Sequence, residues 1–113
     1  MKKKISLNGK DRLALKEFQE RLLLLLGDKL LKILLFGSKA QGRATTESDI
    51  DVLVLIKDNA ITFRHPILDQ AFEVNVKHGV YISPRIISLS TYEHPVWRMT
   101  YFMRQLREQG VAL

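Results

Sequence analysis

Two aspartates, Asp49 and Asp51, stand two residues apart and lead straight into the apolar run Val52–Ile56. In an extended strand, residues i and i+2 point to the same face, roughly 6–7 Å apart along the chain. Both carboxylates therefore project together, with Ile50 buried behind them. Two carboxylates on one face repel each other and need a counter-charge. Mg²⁺ is the natural one, because it takes hard oxygen ligands, uses one or two carboxylates, and completes its shell with water and phosphate oxygens. A two-metal site of this sort can activate an attacking hydroxyl and stabilise a leaving pyrophosphate. Ten residues upstream of the pair lies Gly37-Ser38, which closes a second apolar run, Leu30–Phe36. Glycine permits a tight turn and close approach of a phosphate to backbone N–H groups. Ser38 stands where a short helix would start, so its hydroxyl and the following N–H groups can meet an anion. Lys39 and Arg43 lie close enough in sequence to add positive charge, although each taken alone reads more readily as a solvated side chain. Gly-Ser and Asp-x-Asp are common separately. Their succession (strand, Gly-Ser, ten residues, Asp-x-Asp, strand) is specific, and it points to phosphate and metal handling.

The elements that must position these residues can be read from periodicity. Lys29–Phe36 suits a strand buried on both faces, and Ile50–Ile56 a second strand. Between them, Ser38–Gly42 reads as a short helical turn and Arg43–Ser48 as a polar loop. Upstream, Lys10–Leu26 has a helical pattern, with Leu15, Phe18, Leu22 and Leu25 on its apolar side, Asp11 as a capping residue and Gly27-Asp28 as the stop. Its leucine run is expected to pack on the sheet. Downstream, a turn at 57–59 precedes a helix over about 63–78. Ile67 or Leu68, Ala71 or Phe72, and Val76 form its apolar side, with Pro66 in the first turn and Gly79 past the end. Val80–Leu89 reads as a third strand, and Pro84 within it argues for an edge or a bulge. After a polar connection over 90–95, a last helix runs over 96–109, with Val96, Met99, Met103 and Leu106 on one side, stopped by Gly110. The order α-β-(α)-β-α-β-α describes an α/β or α+β chain with one domain over residues 1–113.

Composition narrows the class. Hydrophobic residues make up 46% and charged residues 27%, a globular balance rather than a disordered one. There is no cysteine, so a disulfide scaffold, a Cys-ligated zinc site and a thiol nucleophile are excluded, and a reducing cytoplasm is the expected location. The basic start has no long apolar segment after it, and Leu22–Leu26 is too short to span a bilayer. No membrane association is expected. The net charge of +6 comes from scattered residues, which reads as a solvated surface. No nucleic-acid recognition motif accompanies it, so nucleic acid is not an expected partner. His65, His78 and His94 have no ligand spacing. Trp97, Tyr101 and Phe102 read as core or interface residues.

The Gly37-Ser38, ten-residue, Asp49-Ile50-Asp51 arrangement resembles the signature of the polymerase β-type nucleotidyltransferase superfamily, and the short chain resembles its minimal nucleotidyltransferases. The specific match covers roughly Leu34–Leu55. Looser similarity in the order of elements extends from the first helix to the end. The resemblance implies a small mixed β-sheet flanked by helices, ATP or another nucleoside triphosphate as donor, and Mg²⁺ as cofactor. It implies transfer of a nucleotidyl group to a hydroxyl with loss of pyrophosphate. Gly37 and Ser38, helped by Lys39 and Arg43, would hold the triphosphate. Asp49 and Asp51 would ligate the metal. It also implies a protein partner of the HEPN type, for which the chain would act as antitoxin by adding AMP to a tyrosine. Self-association into a homo-oligomer stays open. One departure stands out. Active members usually place a third carboxylate on the strand after the intervening helix, and Val80–Leu89 holds no Asp or Glu. Tyr81, Ser83 or Arg85 stands there instead, and Glu73 on the preceding helix is the nearest acid. The alternative implied is a degenerate nucleotide-binding antitoxin or adaptor.

Overall fold

The computed structural model describes residues 5–44, 48–57 and 60–113. The expected loop over 43–48 and the turn at 57–59 lie in part outside the described residues. The first helix, α1 (Gly9–Leu26), opens with a reciprocal cap. The Asn8 side chain accepts from the Asp11 amide at 2.8 Å, and the Asp11 carboxylate accepts from the Asn8 amide at 3.3 Å. Asn8, not Asp11, is thus the N-cap residue, and Asp11 fills the third helical position. Leu15, Phe18, Leu22 and Leu26 form the buried stripe. Leu25, expected on it, is exposed, because the step from Leu22 that stays on the stripe is four residues rather than three. Leu23 and Leu24 also face solvent, so only part of the leucine run packs on the sheet.

Gly27 ends α1 and leads through a short 3₁₀ turn into β1 (Leu30–Phe36). Then follow α2 (Gly37–Gln41), β2 (Ile50–Ile56), α3 (Ala60–His78) and β3 (Ile82–Ser88). The chain closes with α4 (Leu89–Glu93), α5 (Pro95–Arg98), α6 (Tyr101–Gln109) and β4 (Val111–Ala112). The sheet order is β3-β2-β1-β4, with β1 antiparallel to both β2 and β4, and β2 parallel to β3. The parallel pair requires a crossover, which α3 supplies. Pro84 lies on an edge strand, as its missing N–H requires. The two-residue strand β4 offers no periodicity to read and was not expected.

Alternation divides the sheet into two faces. Ile33, Leu35, Ile50, Val52, Val54 and Ile86 meet α1 and α3 in one cluster. Leu34, Leu53, Leu55 and Ile87 meet Met103 and Leu106 of α6 in the other. Each such side chain, fully buried, contributes about 1.5–3 kcal/mol, so both faces anchor β2 firmly.

Three expected boundaries differ. Helix α3 starts at Ala60, so Pro66 sits beyond the first turn and deprives the exposed carbonyl of Thr62 of its helical donor. The buried residues of α3 are Ile67, Ala71 and Val74, while Phe72 and Val76 face outward. The last helix is broken in two. The Thr100 hydroxyl donates to the Trp97 carbonyl at 2.7 Å and accepts from the Met103 amide at 3.3 Å, capping α6. Val96 and Met99, expected in the core, are consequently exposed. Helix α4 occupies most of the expected polar connection. Among the described residues no helix is long and apolar enough to cross a membrane.

Candidate active site

The end of β1 and the start of β2 are register partners, with Phe36 opposite Asp51. Gly37 follows at φ +75°, a left-handed conformation that favours glycine. Its second reason for being glycine is contact. A Cβ placed on Gly37 would lie 2.5 Å from Asp51 Oδ2. The Gly-Ser turn and the Asp-x-Asp pair, ten residues apart in sequence, thus meet at van der Waals distance.

Asp51 lies on the sheet face shared by Leu53 and Leu55, toward α6, and is partly buried. Asp49 lies one alternation before it and is exposed. Between them Ile50 is buried in the opposite cluster, and its amide donates to the Tyr81 carbonyl at 2.8 Å, which fixes the entry to β2. Burial pushes the Asp51 carboxyl above its ordinary pKa, the neighbouring Asp49 charge pushes it further, and Arg85 opposes both. The carboxylate pair therefore carries a repulsion that Arg85 only partly offsets, and a hard divalent cation is a ligand that would relieve it. Two carboxylate oxygen donors beside open polar space suit Mg²⁺.

That space is a polar cleft of about 430 Å³ lined by Phe36, Asp51, Arg64, Ser83, Pro84 and Arg85. The parallel register places Ser83 directly across from Asp51, and Arg85 across from Leu53, two residues further on. The Arg85 guanidinium lies over the Phe102 ring at 4.6 Å from its centroid. Phe102 in turn meets Phe36 edge-on at 5.3 Å and Trp97 at 5.7 Å. An aromatic layer from α5 and α6 thereby seats the cleft's cation and backs the residue preceding Gly37.

The other expected phosphate ligands are placed differently. Ser38 is partly buried, and no side chain caps the first turn of α2. The Lys39 ammonium is turned into the fold, where it pairs with Asp11 at 3.0 Å with both side chains almost wholly buried. The polar side of α2 is thus tied to α1, and Lys39 does not line the cleft. Arg43 is exposed and donates to the Gln41 side chain. Glu73 pairs with Arg21 at 2.5 Å on the α1–α3 seam, in a network with Glu17, Lys77 and His78. It does not line the cleft either. Among the described residues no group of three or more His, Asp or Glu side chains is placed to hold a metal ion. Arg64 and Phe36 are cleft residues that the sequence did not reveal. Arg64 looks like any charged residue of an amphipathic helix, and Phe36 like the end of an apolar strand.

The small mixed sheet, with its glycine turn packed on Asp51 and Asp49 just ahead of β2, fits a nucleotidyltransferase. The family described as polymerase beta, nucleotidyltransferase matches residues 23–88, and the chain belongs to it. It is 38% identical over 100 residues to MJ0141 of Methanocaldococcus jannaschii, whose name carries a provisional assignment as a protein adenylyltransferase. The match spans 88% of this chain and 94% of that one. A solved structure provisionally named a minimal nucleotidyltransferase shares the fold, with TM-score 0.56, 21% identity, and coverage of 96% of this chain and 99% of that one. A mutant of the toxin–antitoxin MntA-HpeT aligns with TM-score 0.50 and 26% identity over 87% of this chain and 70% of that one. The chain is accordingly a transferase of nucleotidyl groups.

Proposed function

We propose that this chain is a Mg²⁺-dependent adenylyltransferase of the cytoplasm that moves AMP from ATP to a hydroxyl of a protein partner. The partner is a HEPN-type toxin, the acceptor one of its tyrosines, and the chain, acting as one domain over residues 1–113, is its antitoxin. The observation that carries the reading is the contact of Gly37 with Asp51, which joins a phosphate-cradling turn to a cation-binding pair. The names of MJ0141 and of the MntA-HpeT toxin–antitoxin support the protein acceptor. An apolar groove of about 490 Å³ beside the cleft, with Phe72, Val76 and Tyr81 exposed along it and Ser83 and Pro84 shared with the cleft, offers a protein surface somewhere to rest.

In this reading Asp49 and Asp51 hold Mg²⁺, which when bound neutralises phosphate charge and orients the triphosphate. Gly37 leaves room for the Asp51 carboxylate, and the uncapped amides at the start of α2 meet phosphate oxygens beside the Ser38 hydroxyl. Arg43, on the open side, adds charge. The acceptor oxygen forms a bond to the α-phosphorus, the bridging bond to the β-phosphorus breaks, and pyrophosphate leaves with the bonding pair. The acceptor proton passes to solvent.

A non-catalytic reading is favoured by one observation. The strand facing Asp51 presents Ser83 and Arg85 in place of an acid. Intact-mass measurement of the partner after incubation with ATP and Mg²⁺ separates the two. One added AMP supports transfer. Bound ATP with no mass change supports the non-catalytic reading.

A further inference from the structure

We propose that the site holds a single divalent cation, and that Arg85, with Arg64 beside it, forms a fixed cationic clamp for the phosphate groups of the nucleotide. The inference rests on the function proposed above and concerns how its charges are arranged.

Two observations carry it. First, the cleft contains one carboxylate, Asp51, and two guanidiniums, Arg64 and Arg85. Among the described residues neither guanidinium has a hydrogen-bonded or ion-paired partner, although five donors on each must be satisfied by water or ligand. Second, Arg85 is positioned rather than loose. Its backbone is fixed in β3 by pairing with β2, and its planar head is stacked on Phe102.

These facts divide the cleft. Mg²⁺ needs only one or two carboxylates when phosphate oxygens complete its shell, and Asp49 and Asp51 satisfy that. A second divalent ion would need further anionic ligands from the opposite wall. That wall offers the Ser83 hydroxyl and a like charge, which repels a cation and attracts a phosphate. A planar guanidinium suits bidentate contact with phosphate oxygens. Arg85 thus supplies, as part of the chain, positive charge that a second ion would otherwise bring.

The test counts Mn²⁺ as the metal probe. Equilibrium dialysis of the full chain, with a non-hydrolysable ATP analogue at one equivalent, should give one Mn²⁺ per chain. Arg85→Asp should add a second, since it would give the cleft a second carboxylate in place of a like charge. Arg85→Gln, which removes the charge but leaves a polar side chain, should weaken the analogue about tenfold or more, as loss of a charge-assisted contact does. It should leave Mn²⁺ binding without nucleotide unweakened. A folded Arg85→Gln variant, checked by its melting temperature, that loses Mn²⁺ and analogue alike would mean a structural role and overturn the clamp. Two Mn²⁺ per wild-type chain would overturn the single-ion assignment while leaving the proposed function standing. If the wild-type chain binds neither Mn²⁺ nor the analogue, the proposed function falls with it.

Discussion

The α-carbon of Gly37 and the carboxylate of Asp51 are packed so closely that a Cβ on the glycine would lie 2.5 Å from Oδ2. Gly37→Ala therefore meets two obstacles. A left-handed φ costs an L-residue about 1–2 kcal/mol, and the methyl must displace the carboxylate. The variant should lose about 2 kcal/mol in urea unfolding. Transfer should fall by more than its stability loss explains, on the order of a hundredfold for an ångström of misplacement. A folded variant with undiminished Mn²⁺ affinity and transfer would remove Gly37 from the site.

Asp51 is destabilising in its ionised form. Its pKa is raised by burial and by Asp49, so the folded state holds its proton more tightly than the unfolded chain does. A raised acid contributes stability below its unfolded pKa and loses it as pH rises through the folded value. At neutral pH the ionised group strains the apo protein. Asp51→Asn should melt at a higher temperature than wild type at pH 7, with the difference vanishing in acid. Its transfer should drop by more than the roughly hundredfold seen for groups that only support a metal ligand. A lower melting temperature at pH 7 would contradict the assigned strain.

The Asp11–Lys39 pair should behave as a structural ion pair. Both side chains are almost wholly buried at 3.0 Å, and Asp11 also completes the cap of α1. Truncating one member of a buried ion pair is strongly destabilising, so Asp11→Ala should cost about 3–5 kcal/mol. Replacing both with apolar residues of similar size, Asp11→Leu with Lys39→Met, should recover much of it. Nucleotide affinity in the double variant should stay within a few-fold of wild type, because Lys39 does not line the cleft. Its loss would return Lys39 to the phosphate site.

On the far seam, Glu17 is held at about 2 rather than 4.5 by hydrogen bonds from Lys77 and His78 and by Arg21. Its pKa is depressed on folding, so its contribution is present above pH 4.5 and lost as pH falls toward 2. Glu17→Gln should flatten the pH dependence of urea unfolding in that window and change it little near neutrality. An unchanged slope would show that the network adds nothing.

Much of this was legible in the sequence where local chemistry decides the outcome. The apolar runs around Gly37-Ser38 and Asp49-Ile50-Asp51 became β1 and β2; β2 is buried on both faces along nearly its whole length, whereas β1 is so only over Ile33–Leu35, with Leu31 and Lys32 exposed. Pro84 marked the edge because an edge tolerates a missing donor. What stayed hidden depends on neighbours. The destination of Lys39 is set by Asp11, 28 positions away. The break before α6 is set by the Thr100 hydroxyl, since Val96 and Met99 keep a helical rhythm across it. Arg64 enters the cleft only because α3 crosses over to β3. Arg85 could be named as the residue in the acid's place, but its seat on Phe102 required the fold.

The central claim is that Gly37, Asp49 and Asp51 form one site that moves AMP to a protein. Its most direct test incubates the chain with ATP labelled at the α-phosphate, Mg²⁺ and the protein encoded beside it, in parallel with an Asp49→Asn, Asp51→Asn variant. Label on the partner and released pyrophosphate are the expected result, both dependent on Mg²⁺ and absent with the variant. Tight ATP binding with neither label nor pyrophosphate, or equal labelling by the variant, would contradict it.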